Sequence, residues 1–278
     1  MEWFIGGVVF IYGLLFGSFY NVIIYRLPLE LNIAKGRSFC PNCHTSLRAK
    51  DLAPLFSWIF LRGKCRYCGC SISLRYPLIE LLTALLFLIA YRHFGMTAEF
   101  FLYCSFYSML IISTMIDLDH MIICDEVIYG FSALSTIFLL TGRIWKMESV
   151  SDIGLASFAS ALGQSMKDNL LGLLAGTLIY AAIYFAAKAA YKREAFGSGD
   201  ILLMGAIGWV TGWKFAVLIA VLSFYIGLAF ILILKAAGKK LKLQQEIPFG
   251  PYICISAFCV SLYGDELLSA VLKFMYPR

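Results

Sequence analysis

Long apolar runs separated by short polar segments occupy most of this chain. A helix that crosses a membrane needs about 20 predominantly apolar residues, and runs close to that length recur from one end of the sequence to the other. The sixth run is short, so it is either a partial span or a helix packed inside the bundle. The predicted fold class is an all-α polytopic membrane protein. Its eight predicted transmembrane helices are 3–25, 76–94, 98–116, 121–142, 169–190, 199–212, 213–236 and 249–270.

The amino-acid composition supports a membrane protein. Hydrophobic residues make up 61% of the chain and charged residues 14%, against roughly 45–50% and about 25% in soluble domains. The first apolar run continues into a polar segment without a small-residue cleavage site, so we expect a retained helix and not a removable signal.

The basic residues of the polar segments predict how the chain is oriented in the membrane. The segment 26–75 contains nine Lys or Arg residues against two acids, Glu30 and Asp51, and such an excess is typical of cytoplasmic loops. The loop 143–168 is mixed in charge and is expected outside. The net charge of +6 is explained by this orientation against an anionic lipid surface. The lipid bilayer is therefore a predicted partner, and nucleic acid is not.

The nine cysteines of the chain fall into two groups. In the basic loop, two Cys-x-x-Cys pairs separated by 21 residues fit the two knuckles of a tetrahedral zinc ribbon, in which four thiolates close the coordination shell around a structural zinc. The predicted ligands are Cys40, Cys43, Cys65 and Cys68. His44 or Cys70 could replace a neighbouring ligand, although either would break the paired pattern, and reduced thiols without metal are the alternative. The other cysteines lie in or beside apolar runs and are interpreted as buried small side chains; they are Cys104, Cys124, Cys254 and Cys259.

Two acidic residues lie at the ends of apolar runs on different predicted helices. Asp200 follows the glycine-serine-glycine segment 197–199, whose glycines leave the backbone free to turn tightly. Asp117 ends the third run, on a helix face that also carries polar side chains. If that helix continues to Asp119, the two carboxylates point about 200° apart at roughly 100° per residue. We therefore expect Asp117 to face inward and Asp119 to lie at the headgroup edge.

Paired intramembrane acids have two interpretations. In an aspartic dyad the two carboxyl groups share one proton, the ionised partner activates a water, and the protonated partner polarises a scissile carbonyl. In a transporter the same pair would serve as an ion or proton relay. Spacing and burial leave both interpretations open.

The inner end of the first helix combines small and polar residues, among them Gly17, Ser18 and Asn21. Small residues let a neighbouring helix approach closely, and the Asn21 amide needs a partner in low-dielectric surroundings. The simplest interpretation is helix packing with an interfacial anchor at Tyr25 and Arg26. A functional use of the polar residues is the alternative.

Five short motifs occur in order along nearly the whole chain. They are Gly17-Ser18-Phe19 with Asn21-Val22 and Tyr25-Arg26-Leu27-Pro28, the two Cys-x-x-Cys pairs, Asp117-Leu118-Asp119-His120, Arg193-Glu194 with Gly197-Ser198-Gly199-Asp200, and Ile247-Pro248-Phe249-Gly250-Pro251. In this combination the sequence resembles the type IV prepilin peptidases, which are integral membrane aspartic proteases of the glycine-x-glycine-aspartate type.

The resemblance implies an activity and a place in the cell. Asp117 and Asp200 would be the catalytic pair and would cleave after a glycine in the short basic leader of prepilins or type II secretion pseudopilins. Many members then methylate the new N-terminus with S-adenosylmethionine. The expected location is the bacterial cytoplasmic (inner) membrane, with the catalytic face toward the cytoplasm.

The resemblance also suggests how the chain is divided. Residues 1–75, the first helix and the zinc loop, would be associated with methyl transfer, with Asn21 as the candidate for binding the methyl donor. Residues 76–278 would form the peptidase domain. Two positions depart from the family pattern: Cys124 stands where a proline is frequent, and Leu202 where a lysine is usual.

Overall fold

The computed structural model describes residues 2–148, 155–191, 197–238 and 247–276 of the chain. Within these ranges the chain is helical, and its β-structure is limited to two isolated antiparallel bridges. The all-α class is thereby confirmed. The chain divides into two compact units, Met1–Ile112 and Ser113–Arg278.

The first unit consists of long helices joined by the cysteine-containing loop. The loop itself holds two short 3₁₀ turns, Leu27–Leu29 and Ala49–Asp51. The helices are α1 (Glu2–Arg26), α2 (Phe56–Phe60), α3 (Arg75–Phe94) and the first part of α4 (Ala98–His120).

The second unit begins within α4 and contains five further helices in its described part. They are α5 (Asp125–Glu148), α6 (Leu155–Tyr191), α7 (Ser198–Thr211), α8 (Trp213–Ala236) and α9 (Gly250–Met275).

Six helices of the described chain are long and apolar enough to cross a membrane, namely α1, α3, α4, α6, α8 and α9. The chain is thus a multi-pass membrane protein, but the eight predicted spans are not confirmed. The apolar residues of helix α5 are interrupted by Ser, Thr and Gly, and the helix begins and ends with charged residues. Helix α7 has only 14 residues. The predicted loop 143–168 is also shorter than expected, because α5 and α6 extend into it; residues 149–154 lie outside the described ranges.

In the first unit, α1 and α3 pack at very short range across two glycines. A Cβ atom on Gly13 would lie 2.5 Å from the Ala84 Cα, and one on Gly17 would lie 2.6 Å from the Glu80 Cα. This is the close approach that small residues four apart permit between membrane helices. Helix packing therefore accounts for Gly17 of the first motif and for Gly13, which precedes the motif.

Arg26, part of the predicted interfacial anchor, also contacts the loop that follows it. Its guanidinium donates hydrogen bonds to backbone carbonyls of the loop that follows, including those of Lys35 at 2.9 Å and Asn32 at 3.1 Å. The sequence could not reveal this, because the acceptors are main-chain atoms without a side-chain signature. Arg26 thus holds the start of the cysteine loop against the end of α1.

In the second unit, the short helix α7 lies among α5, α6, α8 and α9. Leu203, Met204 and Ile207 are completely buried, and a Cβ on Gly205 would meet the Thr177 hydroxyl oxygen at 2.6 Å. The short sixth run is therefore a helix packed inside its unit, which was one of the two predicted alternatives.

Candidate active site

Asp117 lies on the buried side of α4, three residues before the helix ends. It is only 5% exposed, whereas Asp119 and His120 are exposed. Helix α4 continues through His120 and stops at Met121, whose left-handed φ of 55° lets its N–H reach the Asp117 carbonyl at 2.9 Å. Asp117 therefore faces inward and Asp119 faces outward, as the helical period predicts.

The first residue of α9 holds the Asp117 carboxylate. The backbone N–H of Gly250 donates to Asp117 Oδ2 at 2.9 Å. The first N–H groups of a helix have no partner within the helix, and the helix dipole favours an anion there. A Cβ at position 250 would lie 2.6 Å from the same oxygen, so only glycine leaves room for this contact.

Asp200 is the third residue of α7 and is also 5% exposed. Its carboxylate accepts a hydrogen bond from the backbone N–H of Gly197, the residue that caps the helix. An acid at the third helical position commonly reaches back to the cap in this way.

The two glycines before Asp200 lie at close contacts, and Gly197 does not form the tight turn that the sequence predicts. Gly197 has an ordinary extended backbone, with φ −70° and ψ 132°. A Cβ there would lie 3.1 Å from Asp200 Oδ2, and a Cβ on Gly199 would lie 2.8 Å from the Ile123 Cβ. The motif thus allows the backbone to approach the carboxylate on one side and the α4–α5 link on the other.

The two buried carboxylates lie close enough for the charge of Asp117 to act on Asp200. The thiol of Cys254 is near both carboxylates and shares a hydrogen bond with Thr114. The Tyr180 hydroxyl, hydrogen-bonded to Ser223 at 2.7 Å, is near Asp200. The unit therefore encloses a compact polar site in an apolar core.

Three residues of this site were missed by sequence reasoning as functional neighbours. Gly250 was noted only as part of a motif, and Cys254, four residues later on the same helix face, was interpreted as a small apolar residue. It is buried like Cys104, whereas Cys124 and Cys259 are half-buried. No sequence signal points to Tyr180. The Arg193-Glu194 pair lies outside the described residues.

The cysteine loop of the first unit brings four thiols together. The Sγ atoms of the predicted ligands all lie within 4.8 Å of one another, and these ligands are Cys40, Cys43, Cys65 and Cys68. Four converging thiols fit a tetrahedral metal site of the zinc type. The Cys70 Sγ is also close, 3.6 Å from that of Cys40.

The two knuckles of this loop have the same backbone construction. In the first, the N–H of Cys40 bonds the carbonyl of Thr45 at 3.1 Å; in the second, the N–H of Cys65 bonds the carbonyl of Cys70 at 2.8 Å. Cys70 therefore corresponds to Thr45, which is not a ligand type. The first knuckle's His44 ring stacks against Phe39. His44 and Cys70, the two possible replacement ligands, thus occupy other positions in the knuckles.

Hydrogen bonds in the loop stabilise the ionised forms of two side chains, those of Cys68 and Asp51. The backbone N–H of Cys70 is the largest of several contacts that lower the pKa of the Cys68 thiol to about 6, as expected for a metal-binding thiolate. Desolvation would raise the pKa of the Asp51 carboxyl, but hydrogen bonds from Arg66, from the backbone of Arg48 and from Tyr67 outweigh it and lower that pKa. The Arg66–Asp51 ion pair, at 2.6 Å, ties the second knuckle to the 3₁₀ turn.

Fold and site together define a helical membrane protein with a paired-carboxylate centre and a four-cysteine loop. Residues 11–94 match the model of the bacterial peptidase A24 N-terminal domain, and residues 104–232 match that of the type IV leader peptidase family. The chain belongs to the type IV leader peptidase family. No solved structure matches it.

Relatives that match over nearly their whole length support this membership. The chain is 35% identical over 266 residues to a prepilin leader peptidase/N-methyltransferase of Bacillus subtilis (strain 168). The alignment covers 96% of this chain and 97% of the relative. The chain is 32% identical over 295 residues to a protein of the same name from Aeromonas hydrophila, covering 96% and 93%. The family is one of peptidases, so the transporter interpretation is not supported.

Proposed function

We propose that Asp117 and Asp200 form the catalytic dyad of an intramembrane aspartic endopeptidase that removes the leader of type IV prepilins or type II secretion pseudopilins. The observation that carries this proposal is the buried pair itself: two carboxylates on different helices, interacting with each other and each held by a backbone N–H. Buried acids in membrane helices are costly, and they are usually functional.

The dyad would perform general acid and base catalysis on a peptide bond. One carboxylate accepts a proton from a water molecule whose oxygen attacks the scissile carbonyl carbon, while the protonated partner donates to the carbonyl oxygen. When the tetrahedral intermediate collapses, the C–N bond breaks and the leaving nitrogen takes a proton from the dyad. Because Gly250 occupies Oδ2 of Asp117, we assign Oδ1 to the water.

The expected location of the dyad at the cytoplasmic membrane face would suit the chemistry of such a substrate. A prepilin presents a basic leader followed by an apolar helix, so its scissile bond would lie where the membrane meets the cytoplasm. The basic segment 26–75 supports a cytoplasmic orientation of the neighbouring helix ends in the inner membrane. A glycine before the cleaved bond would ease local unwinding, since glycine adopts backbone conformations that other residues avoid.

We further infer that the loop thiols hold a structural zinc ion. A closed four-thiolate shell has no open position for water, so zinc would stabilise the loop and take no part in hydrolysis. The paired knuckles support Cys40, Cys43, Cys65 and Cys68 as the ligands.

The names of the relatives support a second activity, methylation of the N-terminus that cleavage liberates. S-adenosylmethionine would supply a methyl group to the neutral amine, the C–N bond forming as the C–S bond breaks and its electron pair stays on sulfur. Asn21 remains the candidate from the sequence; its amide donates to the carbonyls of Gly17 and Tyr76, both at 3.2 Å. The division of the two activities between residues 1–75 and 76–278 stays a prediction.

The proposal is tested with membranes containing the full-length chain and a peptide that has a basic leader, a glycine and an apolar helix. We expect cleavage on the carboxyl side of the glycine, measured by mass spectrometry of both fragments. Membranes without the chain are the control. An inserted protein that leaves this peptide and its pseudopilin counterpart intact would overturn the proposed substrate class.

A further inference from the structure

The first unit contains a cavity of about 690 Å³ whose walls come from α1, the cysteine loop and the start of α3. Sites for small organic molecules typically enclose roughly 300–1,000 Å³ and combine apolar walls with a few converging polar groups. Its aromatic lining residues are Phe19, Tyr25, Phe39, Trp58 and Tyr76. Aromatic rings of this kind can stack against a planar heterocyclic base.

A buried carboxylate lines this cavity. Glu80 is 8% exposed; its Oε2 accepts the N–H of Leu55 at 2.6 Å, and its carboxylate also shares a hydrogen bond with Ser18. An ionised carboxylate can accept about four hydrogen bonds. Arg26 and Arg66 line the same cavity, but in the described part of the chain no Lys or Arg lies within ion-pair distance of Glu80, so its charge is not neutralised by direct contact at an expensive position.

The surroundings of Glu80 are built to accommodate it. Only a glycine at position 17 lets α1 pass the Glu80 Cα, and Leu55 adopts an unfavourable φ of 60° while donating its N–H to the carboxylate. Such backbone strain in a non-glycine residue persists where the surrounding structure imposes it. The acid is therefore held in one orientation at the cavity wall.

We propose that this cavity binds the methyl donor S-adenosylmethionine, with the aromatic walls holding its adenine base and Glu80 balancing its positively charged sulfonium. This inference rests on the methylation activity proposed above and gives it a site. Asn21, the candidate from the sequence, also lines the cavity. Glu80 lies on α3, beyond the region 1–75 that the sequence associates with methyl transfer. The donor site would then extend beyond residue 75, and Cys40, Cys65 and Cys70 of the metal loop would form part of its wall.

Charge offers the first test, because S-adenosylhomocysteine differs from the donor only in lacking the transferred methyl group and the positive charge on sulfur. We expect Glu80→Gln in the full-length protein in detergent to lower the affinity for S-adenosylmethionine about tenfold and to change that for S-adenosylhomocysteine much less. Calorimetry measures both. The glutamine carbonyl can still accept the Leu55 N–H, so the fold of the first unit should be preserved; an unchanged metal content of the cysteine loop, which packs against the same cavity, checks this. Glu99→Gln, which alters a carboxylate of the same unit outside the cavity, should change neither affinity.

The aromatic wall offers a second test that does not depend on charge. Tyr25→Leu should weaken both ligands by a similar factor of several-fold, because it removes a ring that lines the cavity. Tyr12→Leu is the matched control, since Tyr12 is an exposed tyrosine of the same helix that does not line the cavity.

The outcomes separate this site from the proposed activity. If the unaltered protein binds and uses the donor while Glu80→Gln and Tyr25→Leu leave both affinities unchanged, the donor binds elsewhere and the cavity proposal is wrong. An equal loss of affinity for both ligands in Glu80→Gln would overturn the proposed role of the Glu80 charge. If the unaltered protein neither binds the donor nor methylates a cleaved peptide, the methylation activity itself fails.

Discussion

At the scale of single residues, both carboxylates of the proposed dyad are oriented by backbone N–H groups. Gly250 holds Asp117 from the start of α9, and Gly197 holds Asp200 from the start of α7. Backbone donors have no side-chain freedom to lose, so they keep a catalytic group oriented at low entropic cost. Both donors are glycines because a Cβ would come within 3.1 Å or less of a carboxylate oxygen.

The first prediction concerns the acids themselves. Asp117→Asn and Asp200→Asn should each lower cleavage of a prepilin-like peptide by about 100- to 10,000-fold, because a dyad without one carboxylate cannot divide acid and base work. The measurement is initial cleavage rate in membranes with matched protein content. Asp119→Asn is the control, since Asp119 is exposed on the opposite face of α4. An essential Asp119 with a dispensable Asp117 would contradict the assignment.

Gly250→Ala tests the support of Asp117 without altering any acid. The added methyl group would lie 2.6 Å from Asp117 Oδ2, so the carboxylate must move, and we expect cleavage to fall at least about tenfold with insertion intact. Gly130→Ala on α5 is the matched control, because a Cβ there meets nothing within 4 Å. Normal turnover by Gly250→Ala would mean that the contact does not position the dyad.

At the scale of elements, the cysteine loop consists of two knuckles of the same construction. Residues 44 and 69 both adopt a left-handed backbone, with φ of 54° and 72°, and each knuckle is closed by the same pair of main-chain hydrogen bonds. Cys43 thus corresponds to Cys68, and Thr45 to Cys70. The internal symmetry supports, among five neighbouring thiols, the same four that the paired sequence spacing predicts.

This symmetry predicts different effects for two nearby cysteines. Cys70→Thr should keep the zinc content of the purified protein near one per chain, because it makes the second knuckle like the first. Cys68→Ser should lose most of the zinc, since a tetrahedral shell with three thiolates is weakened. Elemental mass spectrometry measures both. Loss of zinc in Cys70→Thr with retention of zinc in Cys68→Ser would mean that Cys70, and not Cys68, is a zinc ligand.

Metal removal should affect the loop before it affects hydrolysis. A chelator is expected to leave peptide cleavage unchanged at first and to increase proteolytic susceptibility of the region 26–75 as the metal leaves, because zinc binding and loop folding are coupled. Time courses of cleavage and of limited proteolysis, run in parallel, provide the measurement. Immediate inhibition that is reversed by zinc while the loop stays folded would make the metal catalytic.

At the scale of the whole molecule, the chain consists of two units with different chemistry. The first contains the cysteine loop and the Glu80 cavity, and the second contains the paired carboxylates. Peptide hydrolysis and methyl transfer need different groups: the first requires an activated water, and the second requires mainly the positioning of a neutral amine beside the donor.

The two proposed activities should therefore be separable by mutation. Asn21→Leu should reduce methylation of a pre-cleaved peptide several-fold while cleavage continues, because it removes an amide that lines the proposed donor cavity and bonds the Tyr76 carbonyl. Asp200→Asn should abolish cleavage and leave methylation of the pre-cleaved peptide intact. Mass measurement of the product with and without S-adenosylmethionine checks both. Methylation that is insensitive to Asn21 but requires Asp200 would contradict the separation.

Most of the helices could be predicted from the sequence by itself, because burial in lipid or in a helical core demands long apolar runs whatever the packing. Eight of the predicted runs correspond to long helices or to α7. The helical period also distinguished Asp117 from Asp119, since both lie on one continuous helix. The cysteine pairs and the two acids were recognisable because their chemistry depends on side-chain type and local spacing.

Only the tertiary structure decided how these parts are used. It showed that α7 is packed within its unit, that Gly197 and Gly199 lie at close contacts, and that the N–H of Gly250, 133 residues from Asp117 along the chain, holds its carboxylate. It also placed Glu80 beside Ser18 and Leu55 at a cavity wall. These relations depend on main-chain donors and on distances between remote segments. Neither leaves a periodic pattern in the sequence, because a backbone N–H is common to nearly every residue and a close approach is defined only once two helices have packed.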